Sequence, residues 1–98
     1  MPKIKIKSQQ NNLGWHFKVV LESEGYFEFN VTMDKDFYSR LSTRVEPDIV
    51  IEKCFEALLS REPLQKILPE FDIATVERYF PNIMGEIQQK LALTAEEA

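Results

Sequence analysis

The sequence predicts an α+β domain: a three-stranded antiparallel sheet in meander order, covered on one face by C-terminal helices. Up to Met33, apolar side chains recur at every second position, the rhythm of a strand with one buried face. From Asp34 onward they recur at three- and four-residue spacing, the rhythm of amphipathic helices. Strands first and helices after is the order of an α+β domain rather than of alternating βαβ units.

The strands are expected at about 3–8, 14–22 and 26–33. Ile4 and Ile6 alternate with Lys3, Lys5 and Lys7, and Trp15, Phe17, Val19 and Leu21 alternate with His16, Lys18, Val20 and Glu22. Phe27, Phe29, Val31 and Met33 alternate with Tyr26, Glu28, Asn30 and Thr32. Ser23-Glu24-Gly25 fits a three-residue hairpin loop with Gly25 at the left-handed position. That loop pairs Glu22 with Tyr26, Leu21 with Phe27, Val19 with Phe29 and Phe17 with Val31. Phe17, Val19, Leu21, Phe27, Phe29 and Val31 then fall on one face, which is what specifies a register. Ser8–Leu13, rich in Gln and Asn, reads as the turn between the first two strands. Lysines along the first strand suit a sheet edge, where charge blocks edge-to-edge aggregation.

Asp34 and Asp36 can cap a short helix through about Ser42, with Phe37 and Leu41 on one side. Pro47 opens the next helix at a position where its missing N–H costs nothing, and that helix runs to about Ser60. Val50, Ile51, Cys54, Phe55, Ala57, Leu58 and Leu59 span an arc of about 200° on it, so it is the central helix and the expected lid of the sheet. Pro63 ends it and starts a short turn through Leu68, which Pro69 closes. Asp72 caps a helix from Ile73 to Phe80. After Pro81, a helix over about 82–92 carries Phe80, Ile83, Met84, Ile87 and Leu91 in one stripe. The tail Thr94–Ala98 is expected to fray.

A chain of 98 residues fits one domain spanning 1–98, with the sheet in 1–33 and the helices in 34–93. Its 44% apolar and 29% charged residues suit a globular protein rather than a disordered one. A lone cysteine, Cys54, forms no internal disulfide, and small secreted domains are usually stapled, so a reducing, cytoplasmic setting is expected. No apolar run reaches the length of a signal core or of a membrane span. Twelve basic and sixteen acidic residues give a net charge of −4. The first twenty residues contribute +4 through Lys3, Lys5, Lys7 and Lys18, so the rest of the chain is strongly acidic. An acidic body argues against general nucleic-acid binding and leaves a local basic face as the exception.

Residues 46–81 resemble a group of short prokaryotic proteins of uncharacterised function. The resemblance is carried by Phe55, Leu58, Leu59, Arg61, Glu62 and Pro63, then by Ile67, Leu68, Phe71, Asp72 and Ile73, and finally by Arg78-Tyr79-Phe80-Pro81. It covers about a third of the chain. It implies a prokaryotic cytoplasmic origin and supplies no catalytic role to carry over.

Arg61 falls about 20° from Val50 on the helical wheel, inside the apolar arc beside Cys54 and Ala57. A charge there needs a partner, and a buried ion pair with Asp72 plus capping of the helix carbonyls is the expected arrangement; an anion or partner contact is the alternative. His16 falls on the polar sheet face. Cys54 reads as a small buried hydrophobe rather than a reactive thiol. One cysteine and one histidine make no structural zinc site, and no catalytic, metal or cofactor residues are assigned. Glu52 and Glu56 read as a solvated helix face. The sheet side turned away from the helices gathers Lys5, Lys7, His16, Lys18 and Tyr26, the candidate partner-binding residues, with Glu22 and Glu28 among them.

The expected function is a small protein-interaction or regulatory module without catalytic activity or cofactor. Its partner is a protein, a homodimer being one form it could take, and an exposed strand edge could accept another strand. The alternative is a nucleic-acid-binding, antitoxin-like regulator using the lysine face. An enzyme would need a pocket between sheet and helices lined by Arg61, Asp72 and Tyr79.

Overall fold

Pleating sends successive side chains to opposite faces, and the chain up to Asp34 uses this to separate apolar from charged groups. In a computed structural model, which describes residues 3–41 and 44–97 (95–97 by backbone alone), three strands form in sequence. They are β1 (Lys3–Gln10), β2 (Gly14–Glu22) and β3 (Tyr26–Asp34), each antiparallel to the next. The register pairs Glu22 with Tyr26, Leu21 with Phe27, Val19 with Phe29 and Phe17 with Val31, as the apolar pattern required. Phe17, Val19, Leu21, Phe29, Val31 and Met33 are buried beneath the helices.

Three details of the sheet depart from the sequence reading. The first strand extends to Gln10, because the turn is built later by Asn11, whose side-chain carbonyl accepts from the N–H groups of both Leu13 and Gly14 at 2.9 Å. In the second hairpin the left-handed residue is Glu24, with φ of 54°, and not Gly25. A loop with the left-handed residue at its centre closes through a hydrogen bond from Ser23 N–H to Gly25 C=O.

The third departure changes the sheet. A fourth strand, β4 (Glu70–Asp72), lies parallel to β3, so the sheet is four-stranded and mixed, in the order β1-β2-β3-β4. Asn30 N–H donates to Pro69 C=O at 2.7 Å at its start, and Thr32 lies opposite Asp72 at its end. Three residues between a proline and a helix cap carry no readable two-residue rhythm. Their pairing depends on a strand some forty positions earlier.

Among the described residues the helices are α1 (Lys35–Arg40), α2 (Pro47–Leu59), α3 (Ile73–Tyr79) and α4 (Ile83–Glu97), with a 3₁₀ turn at Leu64–Lys66. Asp34 caps α1 by accepting from Phe37 N–H at 2.7 Å. The expected end of that helix at Ser42 lies outside the described residues, as does Ala98. Tyr38 holds the following stretch, its hydroxyl donating to Val45 C=O at 2.6 Å while Trp15 meets its ring edge-on. α4 runs past the expected end near 92 and takes in the tail as far as Glu97.

α2 is the lid. Val50, Ile51, Cys54, Phe55, Ala57 and Leu58 are all buried on it. The Phe55 ring stands 5.3 Å from Phe29 on β3 and 6.0 Å from Phe71 on β4. Behind α2, α4 contributes Ile83, Ile87 and Leu91 to the same core. Fully burying side chains of this size stabilises the fold by about 1.5–3 kcal/mol each before entropy is counted.

Asp72 joins the new strand to the next helix. One carboxylate oxygen caps α3 by accepting from Ala74 N–H at 2.9 Å, and the other accepts from the Thr32 hydroxyl at 2.7 Å. Asp72→Ala should therefore cost about 1–3 kcal/mol by urea denaturation. Thr32→Val should cost less, and the double variant less than the two losses combined. Gly14 begins β2 where the chain passes close beneath the end of β3: a methyl group there would overlap the carbonyl oxygen of Met33. Gly14→Ala should lower stability by about 1–3 kcal/mol, seen as a lower urea midpoint at unchanged slope.

Candidate functional site: outer sheet face, open edge and apolar groove

The outer face of the sheet follows from the register. Across the strands, the rows on this face run Lys3–Glu22–Tyr26, Lys5–Val20–Glu28, Lys7–Lys18–Asn30–Glu70 and Gln9–His16–Thr32–Asp72. Lys5, Lys7, His16, Lys18 and Tyr26 thus share one face. The same face carries Glu22, Glu28, Glu70 and Asp72, four acids against the four lysines. Lys18 meets Glu28 at 2.8 Å and Lys5 meets Glu22 at 3.6 Å, both pairs open to solvent. Such pairs contribute little to stability, but they break up the field that a phosphate backbone would follow. His16 is half-buried between Gln9 and Thr32, and Tyr26 stands exposed at the corner.

The expected buried pair of Arg61 and Asp72 does not form. Arg61 lies just past the end of α2, and its guanidinium donates to Glu86 of α4 at 2.6 Å and to Ala57 C=O at 3.3 Å. Its side chain is a quarter exposed. Asp72 is committed to Thr32 and Ala74 on the outer side of the sheet. Arg61 falls beyond the last turn of α2 and is exposed rather than buried in the apolar arc, and the segment beside that end of the helix is α4, which supplies Glu86. Glu56 likewise leaves its expected solvated role, binding Lys53 at 3.2 Å and Lys90 of α4 at 3.7 Å. Arg61, Asp72 and Tyr79, the trio an active pocket would have needed, therefore point to three different neighbourhoods.

Cys54 has no exposed surface and sits in the apolar core of α2. Desolvation pushes its thiol well above the usual range, because the anion would lose its water without a compensating charge. Among the described residues, no three His, Cys, Asp or Glu side chains gather as a metal site would require.

Two features were missed in the sequence. One is an open apolar groove of about 500 Å³ between the end of α2, the 3₁₀ turn and α3. Leu58, Ile67, Phe71, Val76 and Phe80 form its walls, while Leu68 and Tyr79 stand exposed beside it with Glu62 and Lys66. The signal available was Ile67-Leu68 lying between Pro63 and Pro69, apolar residues outside any helical stripe. The other feature is the inequality of the two sheet edges. Among the described residues, β4 pairs along β3, whereas β1 pairs only with β2 and no further strand lies along its other edge.

No helix of the described residues is long and apolar enough to cross a membrane. Compared with known proteins, the chain matches no family model, no curated protein and no solved structure.

The Cys54 environment has a testable consequence. A raised thiol pKa means that the folded state holds its proton more tightly than the unfolded state does. The sign follows: stability from this group is complete below the unfolded value of 9.0 and is lost as pH rises beyond it. The unfolding free energy from urea denaturation should therefore fall above about pH 9, by up to about 1.4 kcal/mol per pH unit from this residue, and Cys54→Ala should remove that part of the slope. A thiol reagent should label Cys54 only as fast as the protein opens.

Proposed function

We propose that this protein is a small protein-interaction module, without catalytic activity, that receives an extended segment of a partner polypeptide along β1. The observation that carries the reading is the asymmetry of the sheet. The chain builds a short strand, β4, to close one side and leaves the longer strand β1 open on the other. An edge strand presents a row of backbone N–H and C=O groups, and pairing with an added strand satisfies them without any rearrangement of the core. The side chains of β1 fit such a role. Ile4 and Ile6 are half-buried and pack at the margin of the core, where an added strand would complete their cover.

Nucleic-acid binding through the lysines is the competing reading, and the four acids on the same face speak against it. One experiment separates the two. The full chain, tethered by its C-terminus, is used to retain partners from its host. The expected outcome is a polypeptide whose capture survives nuclease and whose addition slows amide exchange across residues 3–10. Capture that is lost with nuclease and falls steeply with salt would transfer the lysines to phosphate contacts. A captured polypeptide that leaves exchange at 3–10 unchanged would remove β1 as the site.

A further inference from the structure

The charges along the open edge restrict what can dock there. We infer that β1 selects an extended partner segment in which acidic residues alternate with apolar ones, and that it rejects a second copy of itself. This inference rests on the reading of β1 as a docking edge and specifies the chemistry of the segment.

β1 carries Lys3, Lys5 and Lys7 on the outer face and no acid. Ile4 and Ile6 point to the helical side. An added strand continues both faces, so its outward side chains lie beside the lysines and its inward ones beside the isoleucines. Carboxylates beside the lysines are favourable there, and apolar side chains beside Ile4 and Ile6 are removed from water.

Self-pairing meets the opposite situation. Two β1 strands related by a two-fold axis keep their outer faces on one side only when odd-numbered residues oppose odd-numbered ones. The longest antiparallel registers of this kind set Lys5 opposite Lys7, or Lys7 opposite Lys7. Parallel in-register pairing stacks all three lysines. Like charges directly opposite one another are destabilising in every case. Lys5 has an acid of its own chain nearby, Glu22 at 3.6 Å, but that pair is exposed and weak. For Lys3 and Lys7 no salt bridge forms among the described residues.

The chain's own closure of the other edge has the preferred pattern. β4 reads Glu70-Phe71-Asp72, acid, apolar, acid, with Phe71 turned in toward Phe55 and the two carboxylates on the outer face. β3 accepts this strand through Asn30, Val31 and Thr32, where the outward neighbours are uncharged. β1 offers three lysines at the equivalent places, and so a stronger preference for the same alternation.

The test uses the full chain and two eight-residue peptides, one alternating Glu with Val and the other alternating Lys with Val. Binding is followed by chemical shifts and exchange of the β1 amides. The Glu/Val peptide is expected to bind along residues 3–10 at least about tenfold more tightly than the Lys/Val peptide, from three favourable cross-strand pairs. Lys5→Glu/Lys7→Glu, which leaves the backbone untouched, is expected to reverse the preference. Sedimentation is expected to show no self-association through β1. Equal binding of both peptides at β1, or a dimer joined through β1, would overturn the selectivity and leave the edge as a docking site. If neither peptide reaches β1, because the lysines serve only to keep the edge unpaired, both the selectivity and the docking reading fall.

Discussion

The structure depends on one contact surface, the apolar inner side of β2 and β3 against α2. Phe17, Val19, Leu21, Phe29 and Val31 form a face that no sheet of this size can leave in water, and Phe55 is the side chain that seals it. Its ring touches Phe29 and Phe71 together, so one helix residue holds both the hairpin and the added fourth strand. The remaining elements organise around that seal. α4 packs behind α2 and is tied to it by Arg61–Glu86 and Lys90–Glu56, both outside the apolar core. These ion pairs link two helices already held by burial, and their side chains keep a quarter to a third of their surface in water, so the charges are only partly desolvated.

The same seal determines what is left over for function. With the inner face consumed by α2, surfaces remain on the outer face, at the free edge and beside α3. The outer face is balanced in charge, its lysines interleaved with glutamates, and it presents no continuous basic track. The groove beside α3 is apolar and open, but nothing in the structure shows what covers it. The edge of β1 differs from both in having a defined backbone pattern, a defined charge and a defined apolar margin.

Much of this was legible before any coordinates. Two-residue alternation located β2 and β3 and their register, because a slip by one residue would have moved every phenylalanine to the wrong face. Asp34 and Asp72 announced two helix starts through the acceptors they bring to unpaired N–H groups. The site was less legible. The candidate residues Lys5, Lys7, His16, Lys18 and Tyr26 do share a face, since strand parity alone dictates it. The pairing of Arg61 with Asp72 failed because it required knowing which segment lies beside the end of α2, and helical periodicity gives a residue's angle around its own axis but not its neighbour.

By itself, then, the sequence determined the local elements, the buried face of each and the identity of the central helix, because these follow from periodicities contained within a few residues. Tertiary structure alone decided the fourth strand, with the closing of the sheet beyond β3, the partner of Arg61 and the groove beside α3. Each of these depends on segments far apart in the chain meeting at a particular distance. The clearest case is Glu70-Phe71-Asp72: three residues are too few to declare a strand, and they become one where Phe71 meets Phe55 while Asn30 and Thr32 of β3 bond to Pro69 and Asp72.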